Sequence, residues 1–487
     1  MKRLAGSVVV FFLLFSFFAS GCSNVPSLPV AEDEETVEAG EEYELFEEDV
    51  KSPGIILKGV VKDSSTRKPI PDVKITLEGT EGTFTTFTDP KGYYQFPDSE
   101  VPAGIYTLQA EKKGYKTFVK DNLNLKAGKT TVLNFTMIFP EWTVLVYIAA
   151  DNNLDFYVDQ DILEMQRIGS SDRLHIVVFL DKKGSGDGYY YIRQGSSEPL
   201  QVLGEVNSGD GNVLSDFIQF VKENYPARRY FLILWNHGSG WRGPTRGICW
   251  DDSSEEDNLT VPELASALER GGLHFDLIGM DACIMQTVEV AYEIRNFGDI
   301  LIASQAYIPG YGWDYAGFLR RLRSSPRMSN RALVQAVVQS YFSFYGSQNI
   351  ALSAVDLSKV GSLATALDAF AGIFVRNAPV GSSSWMLQLR SITPDNPCTD
   401  YYCDYVDIYR FFESLLKEIP WPSAQKTILK EVQKALNRAV LYNRTGGYYR
   451  GAKGLSVYIG IPEDGYSFLA FAEDTEWDEF LQWLWSD

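Results

Sequence analysis

The stretch "LILWNHGSGW", residues 232–241, decides how the chain is read. A run of large apolar residues stops abruptly at Asn236-His237-Gly238. With only three histidines in 487 residues, one at the end of a buried strand stands out. Alone, His237 reads as a core histidine hydrogen-bonded at a strand end. The surrounding pattern changes that reading. From Trp142 onward, "TVLVYIAA", "LHIVVFL", "YFLILW", "DLIGM" and "DILIAS" alternate with helical periods. Near-continuous apolar strands alternating with helices give a mostly parallel sheet flanked by helices on both faces. The periodicity predicts helices near 155–168, 213–224, 261–270 and 284–297, with a loop after "LHIVVFL". It also predicts one α/β domain over 141–487, with a helical insertion around 326–446 and a returning strand "GLSVYIGI" at 454–461.

In open α/β sheets, chemistry gathers at the carboxyl ends of the strands. The next apolar strand after "YFLILW" is "DLIGM", and it ends in Asp281-Ala282-Cys283. Neighbouring parallel strands would bring His237 and Cys283 out at the same sheet edge. A thiol and an imidazole placed there form a nucleophile–base pair. A free cysteine has a pKa of ~8.5, and a nearby imidazolium lowers it. The following "IMQTVEVAYEI" sets Ile284, Val288, Ala291 and Ile294 on one helical face. That places Cys283 at a helix N-terminus, where the dipole favours a thiolate.

These residues resemble the clostripain family of cysteine peptidases, within the caspase-like group. The resemblance rests on "WNHGSGW" and "GMDACIMQ", and on the opening "WTVLVYIAADNNLD". Further support comes from "WDD…NLTVPEL", "SQAYIPGYGW", "YVDIYRFFESL" and the closing "GLSVYIGIP", so it covers almost all of 141–487. It implies a caspase-like sheet and an endopeptidase acting on proteins or peptides after Arg or Lys. It implies that His237 is the general base and acid and Cys283 the nucleophile. Backbone N–H groups of Gly238 and Cys283 would form the oxyanion hole. Asp281 would lie near the floor of the specificity pocket, where a carboxylate meets a guanidinium or ammonium; as a local feature it reads equally as a helix N-cap. Where family members carry acidic residues before "PG-x-GW", this chain has Gln305, Ala306, Tyr307 and Ile308, which leaves Asp314 as the candidate substitute. The resemblance also implies self-cutting in the loop 238–259, at Arg242 or, better, Arg246, which Gly247 follows. Against the enzyme stands one alternative: an idle surface protein that uses the same fold for binding.

The remainder reads as export and display. Lys2 and Arg3 precede a short apolar run at 7–18, and "ASGC" ends at Cys22. This resembles a bacterial lipoprotein signal over 1–22, with Cys22 lipidated and the protein held on a membrane of the cell envelope. Residues 23–53 are dense in carboxylates and read as a tether. Residues 54–139 carry short period-two runs separated by Gly, Pro, Asp and Asn, about seven strands of a small β-sandwich. Their order resembles transthyretin-like, carboxypeptidase-regulatory modules. The net charge of −20 excludes a nucleic-acid partner, whose phosphates demand clustered Lys and Arg. Export permits a disulfide between Cys398 and Cys403. No zinc site is indicated, and no cofactor. The acidic loop 250–257 has the carboxylates calcium likes, but a solvated surface is the safer reading. His175 and His274 have no partner in sequence and read as structural. The C-terminal "TEWDEFLQWLWSD" reads as a packing helix.

Overall fold

The computed structural model describes residues 42–48, 54–184, 186–242, 247–346, 348–376, 386–387, 389–390 and 404–486. The apolar runs that opened the sequence reading become the centre of one sheet. These are β9 (Trp142–Ala150), β10 (Leu174–Lys182), β13 (Arg229–Trp235), β16 (Phe275–Asp281) and β17 (Gly298–Ala303). They lie side by side in the order β10-β9-β13-β16-β17, all parallel. β9 is buried at every position, as expected of a strand covered on both faces. Val144, Val146 and Ile148 face a layer containing α1 (Asp155–Ile168), α5 (Tyr315–Ser324) and α6 (Asn330–Tyr345). Leu145, Tyr147 and Ala149 face the other layer, with α2 (Gly211–Asn224), α3 (Val261–Gly271) and α7 (Val360–Val375). The fold is a mixed α/β, caspase-like one preceded by all-β sheets.

Among the described residues the sheet has nine strands, more than the sequence suggested. The segment expected as a loop after β10 is a hairpin, β11 (Gly188–Arg193) and β12 (Ser196–Val202), which extends one edge antiparallel. The other edge is built by β18 (Ala351–Asp356) and β20 (Val440–Thr445), both from the region expected to be a helical insertion. The returning strand does not join this sheet. β21 (Ser456–Tyr458) pairs with β19 (Tyr405–Asp407) in a separate two-stranded ribbon. A run of apolar residues reports burial and not the partner, so the sequence could not tell these cases apart. The C-terminal segment forms a helix, Trp477–Trp485, that buries Trp477, Phe480, Leu481 and Leu484.

The β-module consists of two four-stranded sheets, counted among the described residues. One pairs β1 (Tyr43–Glu47), β8 (Thr131–Met137), β2 (Ile55–Asp63) and β5 (Tyr93–Pro97) in that order. The other pairs β4 (Gly82–Phe87), β3 (Lys74–Gly79), β6 (Gly104–Glu111) and β7 (Phe118–Leu125). Leu57, Ile75, Leu77, Tyr94, Leu108 and Phe135 fill the space between them. β1 lies inside the stretch expected as a tether. It runs antiparallel to β8, and its last residue is tied by Glu47 to Lys126 and Lys129 at 2.5 and 3.1 Å.

The module meets the nine-stranded sheet through a polar seam. Asp63, at the end of β2, pairs with Arg228, whose Nε also lies 3.6 Å from Glu141. Arg173 donates to Ser65 and Ser64 at 3.0 and 3.2 Å, and Lys116 pairs with Asp172 at 2.8 Å. Glu141, Arg173 and Arg228 each sit one residue before β9, β10 and β13. The module therefore caps the amino ends of the parallel strands, at the edge opposite the site described next.

Candidate active site

β13 and β16 are parallel neighbours, and their last residues, Trp235 and Asp281, stand opposite each other. The chain leaves both strands at one level, so the segments carrying His237 and Cys283 emerge together. Asn236 N–H donates to the Asp281 carbonyl at 3.3 Å, which fastens the two exits. Gly238 then passes so close to Cys283 that a methyl group at Gly238 would collide with the Cys283 carbonyl oxygen. The same methyl would meet Met285 Cγ at 2.9 Å and Ala282 Cβ at 3.0 Å. Glycine is required here for that close approach.

The thiol and the imidazole are both half-shielded from water. Burial pushes the Cys283 thiol up, opposed by the Ile308 N–H, which donates to Sγ at 3.2 Å. Burial pushes the His237 imidazole down, against a weaker pull from Asp252. Burial thus disfavours the charged form of each group, the imidazolium and the thiolate. No helix dipole assists it. The helix after Cys283, α4, spans only Val288–Glu293 and is capped by Thr287. The expected helix from 284 fails because Ile284 takes a positive φ of 59° in a turn, and helix begins only at Val288. Ile284 and Gln286 donate to Ala306 and Ser304 at 3.1 and 3.0 Å, pinning the segment to the strand-end loop. The thiol's help comes from the Ile308 amide on that loop.

Asp281 is buried, with its carboxylate on the α1/α5 side of the sheet. One oxygen, Oδ2, accepts from Trp313 N–H at 2.8 Å and Tyr315 O–H at 3.3 Å, while Oδ1 is buried with no hydrogen-bond partner. Burial raises its carboxyl to about 7, against those two donors. A clostripain family model matches residues 146–483.

The chain belongs to the clostripain family.

It is a cysteine-type endopeptidase with an accessory β-sandwich, for which a carboxypeptidase regulatory-like domain model matches residues 56–138. It is 27% identical over 402 residues to the clostripain of Hathewaya histolytica, covering 67% of this chain and 76% of that protein. A secreted C11 cysteine protease from Bacteroides thetaiotaomicron, solved with an irreversible peptide inhibitor, has a similar fold: TM-score 0.55, 24% identity, 71% of this chain and 100% of that chain. An inactive zymogen C11 protease from Parabacteroides distasonis gives a TM-score of 0.54 at 23% identity, over 69% and 98% of the two chains. The β-module is 32% identical over 82 residues to part of the TonB-dependent transporter Oar of Myxococcus xanthus, covering 16% of this chain and 8% of that one.

Other residues of this clostripain-family chain lie as follows. Asp314 accepts from Gly317 N–H at 2.8 Å and caps α5, so its carboxylate serves the helix. Gln305 turns inward and donates to Ser456 and Asp407 at 2.8 and 3.1 Å. Arg242 is held by Asp404 and Glu463 at 2.8 and 3.0 Å. Arg246, Cys22, Cys398 and Cys403 lie outside the described residues. His175 bonds Tyr191 at 2.9 Å and His274 bonds Asp299 at 2.9 Å, both away from the site. Sequence reasoning missed Asn153, whose Oδ1 lies 2.5 Å from His237 Nε2. The strand-end rule that found His237 would have flagged the loop "AADNN" after β9, though not which of its residues faces the imidazole.

The carboxylates able to hold a cation are not those of 250–257 alone. Ligand oxygens of Asp151, Asp181 and Glu205 lie within 4.8 Å of one another. Asp251 is spent on the backbone, accepting from Ser208, Ser253 and Ser254 at 3.0 Å each. Both oxygens of Asp181 are buried with no hydrogen-bond partner. Hard oxygen donors of this kind are those calcium takes.

Proposed function

We propose that this chain is an exported, lipid-anchored endopeptidase that cuts proteins or peptides after Arg or Lys, with Cys283 as nucleophile and His237 as general base and acid. The observation that carries the reading is the contact of Gly238 with the Cys283 backbone at the shared exit of β13 and β16. In the proposed sequence, His237 takes the Cys283 proton and the thiolate attacks the scissile carbonyl carbon. The oxyanion is met by the N–H groups of Gly238 and Cys283. His237 returns its proton to the leaving amine as the C–N bond breaks, and water then releases the acyl group.

The free Oδ1 of Asp281 supports a cationic residue before the cut. A guanidinium or ammonium would satisfy a buried oxygen that otherwise has no donor. The lipoprotein-like stretch ending in Cys22 supports export and anchoring, and the secreted relative is consistent with export. Of the two candidate points of self-cutting, Arg246 is favoured, because the Arg242 guanidinium is already ion-paired. A peptide electrophile with Arg at its reactive end tests the core of the reading. Mass spectrometry should find it on Cys283, and Cys283→Ala should neither label nor turn over an Arg-reporter peptide. Turnover at the wild-type rate by Cys283→Ala overturns the cysteine-nucleophile assignment.

A further inference from the structure

Loop 151–154, at the carboxyl end of β9, lies beside the exit that carries His237, because β9 and β13 are parallel neighbours. We propose that Asn153 is the positioning residue of His237, holding the imidazole in the tautomer that can take the Cys283 proton. This rests on the dyad reading above.

The contact itself is direct: Asn153 Oδ1 stands 2.5 Å from His237 Nε2. An amide oxygen only accepts, so Nε2 carries the hydrogen and Nδ1 keeps its lone pair. Nδ1 is then the nitrogen left with a lone pair to receive the thiol proton, and the imidazolium so formed would keep one N–H on Asn153. Orientation of a catalytic imidazole by a third group is the general logic of nucleophile–base pairs.

The loop is braced so that Asn153 is presented rather than free to swing. Its neighbour Asn152 donates to Ala149 O at 3.1 Å and to Trp250 O at 2.8 Å. Asn236, directly before the histidine, donates to the same Trp250 carbonyl at 3.0 Å, and also to Ala149 O. Asn236 Oδ1 accepts from the His237 N–H as well. The loops carrying donor and acceptor are therefore pinned to the same two carbonyls. On the other side, Asp155 N–H returns to Asn152 O at 3.3 Å as α1 begins. Two consecutive asparagines divide the labour: Asn152 fixes the loop and Asn153 faces the imidazole.

The choice of an amide over a carboxylate suits the chemistry. A carboxylate at this position would favour the imidazolium and raise its pKa, whereas an amide orients the ring without charging it. Among the described residues, Asp252 is the charged group acting on His237, and burial outweighs it.

Steady-state kinetics on an Arg-reporter peptide tests the assignment, using the full mature chain. Asn153→Ala should lower kcat by at least about tenfold, less than the ~10²–10⁴-fold ascribed to a general acid–base group itself, since Asn153 acts through His237. KM and the melting temperature should stay close to wild type, since Asn152 keeps the loop. Asn153→Asp should recover most of kcat and move the acid limb of the kcat profile to higher pH, because a carboxylate stabilises the imidazolium. Recovery of kcat by Asn153→Asp but not by Asn153→Ala, at unchanged KM and melting temperature, is the readout that a merely structural role would not give. Asn153→Ala with unchanged kcat and pH profile, beside an inactive His237→Ala protein, overturns this proposal alone. An active His237→Ala protein overturns the dyad reading and this proposal together.

Discussion

Asp281 carries two demands that pull against each other. On the reading proposed above it meets a guanidinium, a contact that burial strengthens, while burial also penalises its own charge. The result is a carboxyl raised to about 7, stabilised by Trp313 and Tyr315 on one oxygen and open on the other. The folded value lies above the ordinary 3.8, so the ionised group costs stability as pH rises through about 7. On that reading a substrate cation would offset the cost and draw the proton off. KM for an Arg peptide should therefore fall between pH 6 and 8 in the wild type. Asp281→Asn should weaken kcat/KM by ~2–5 kcal/mol, the range for removing one partner of a buried charge pair, and should flatten the KM profile. Kinetics at four or five pH values checks this. A KM that is pH-independent and equal in both proteins would remove Asp281 from the pocket. At this scale the sequence was informative. His237, Gly238, Cys283 and Asp281 stand at strand ends whose apolar runs were unmistakable. Asn153 was hidden because nothing in "ADNN" separates a loop-bracing asparagine from one that faces an imidazole.

At the scale of elements, legibility followed burial. β9, β10, β13, β16 and β17 were readable because both faces are covered and nearly every side chain is apolar. β1 was not, because it is an edge strand whose first four residues are exposed and whose charges are answered from far along the chain. Glu47 is held below its ordinary value by Lys126 and Lys129. α4 was misread because the helical period of "IMQTVEVAYEI" is real, yet Ile284 and Gln286 give their amides to the 304–306 loop. The strand ends also gather charge. Asp181, at the end of β10, is pushed up to about 8 by burial, with Asp251, Asp187 and Asp151 adding to it. Its folded value exceeds the ordinary 3.8, so the stabilising protonated form is fully present below about 4 and is lost as pH rises through about 8. Asp181→Asn keeps the shape and removes the titration. The variant should melt less steeply with pH between 5 and 8.5, and above pH 8 it should melt higher than the wild type. Thermal melts across that range decide it; parallel pH curves for the two proteins would mean that Asp181 is not a source of the dependence.

At the scale of the molecule, the β-module and the active site sit at opposite ends of the same strands. Nine residues of β9 separate the seam from the site, about 30 Å at the usual rise of a strand. Binding by the module can then proceed without obstructing the cleft, as suits a stalk or an accessory platform. What couples the two bodies is the seam around Arg228. Its guanidinium bridges Asp63 and Glu141, whose side chains are 4% and 5% exposed, and lies over Phe139 at 5.3 Å. Burial works against the Asp63 carboxylate, yet the Thr66 and Ser65 amides and Arg228 bring it below its ordinary value. Arg228→Met would keep the packing on Phe139 and leave Asp63 without its cation, while Glu141 keeps Arg173 and Arg327 at 3.7 and 3.6 Å. Breaking a buried pair from one side costs ~3–5 kcal/mol, and the partial exposure of Arg228 sets the expectation at the lower end. Calorimetry should then resolve two transitions in the variant against a single coupled one expected for the wild type. Asp63→Asn in the same chain should restore part of the loss, since the stranded charge is gone. Peptide turnover should be unchanged in both variants, because the His237 and Cys283 segments hang from the far ends of β13 and β16. Loss of peptide turnover on undocking would show instead that the module supports the site through the sheet, and would place the coupling in the strands themselves.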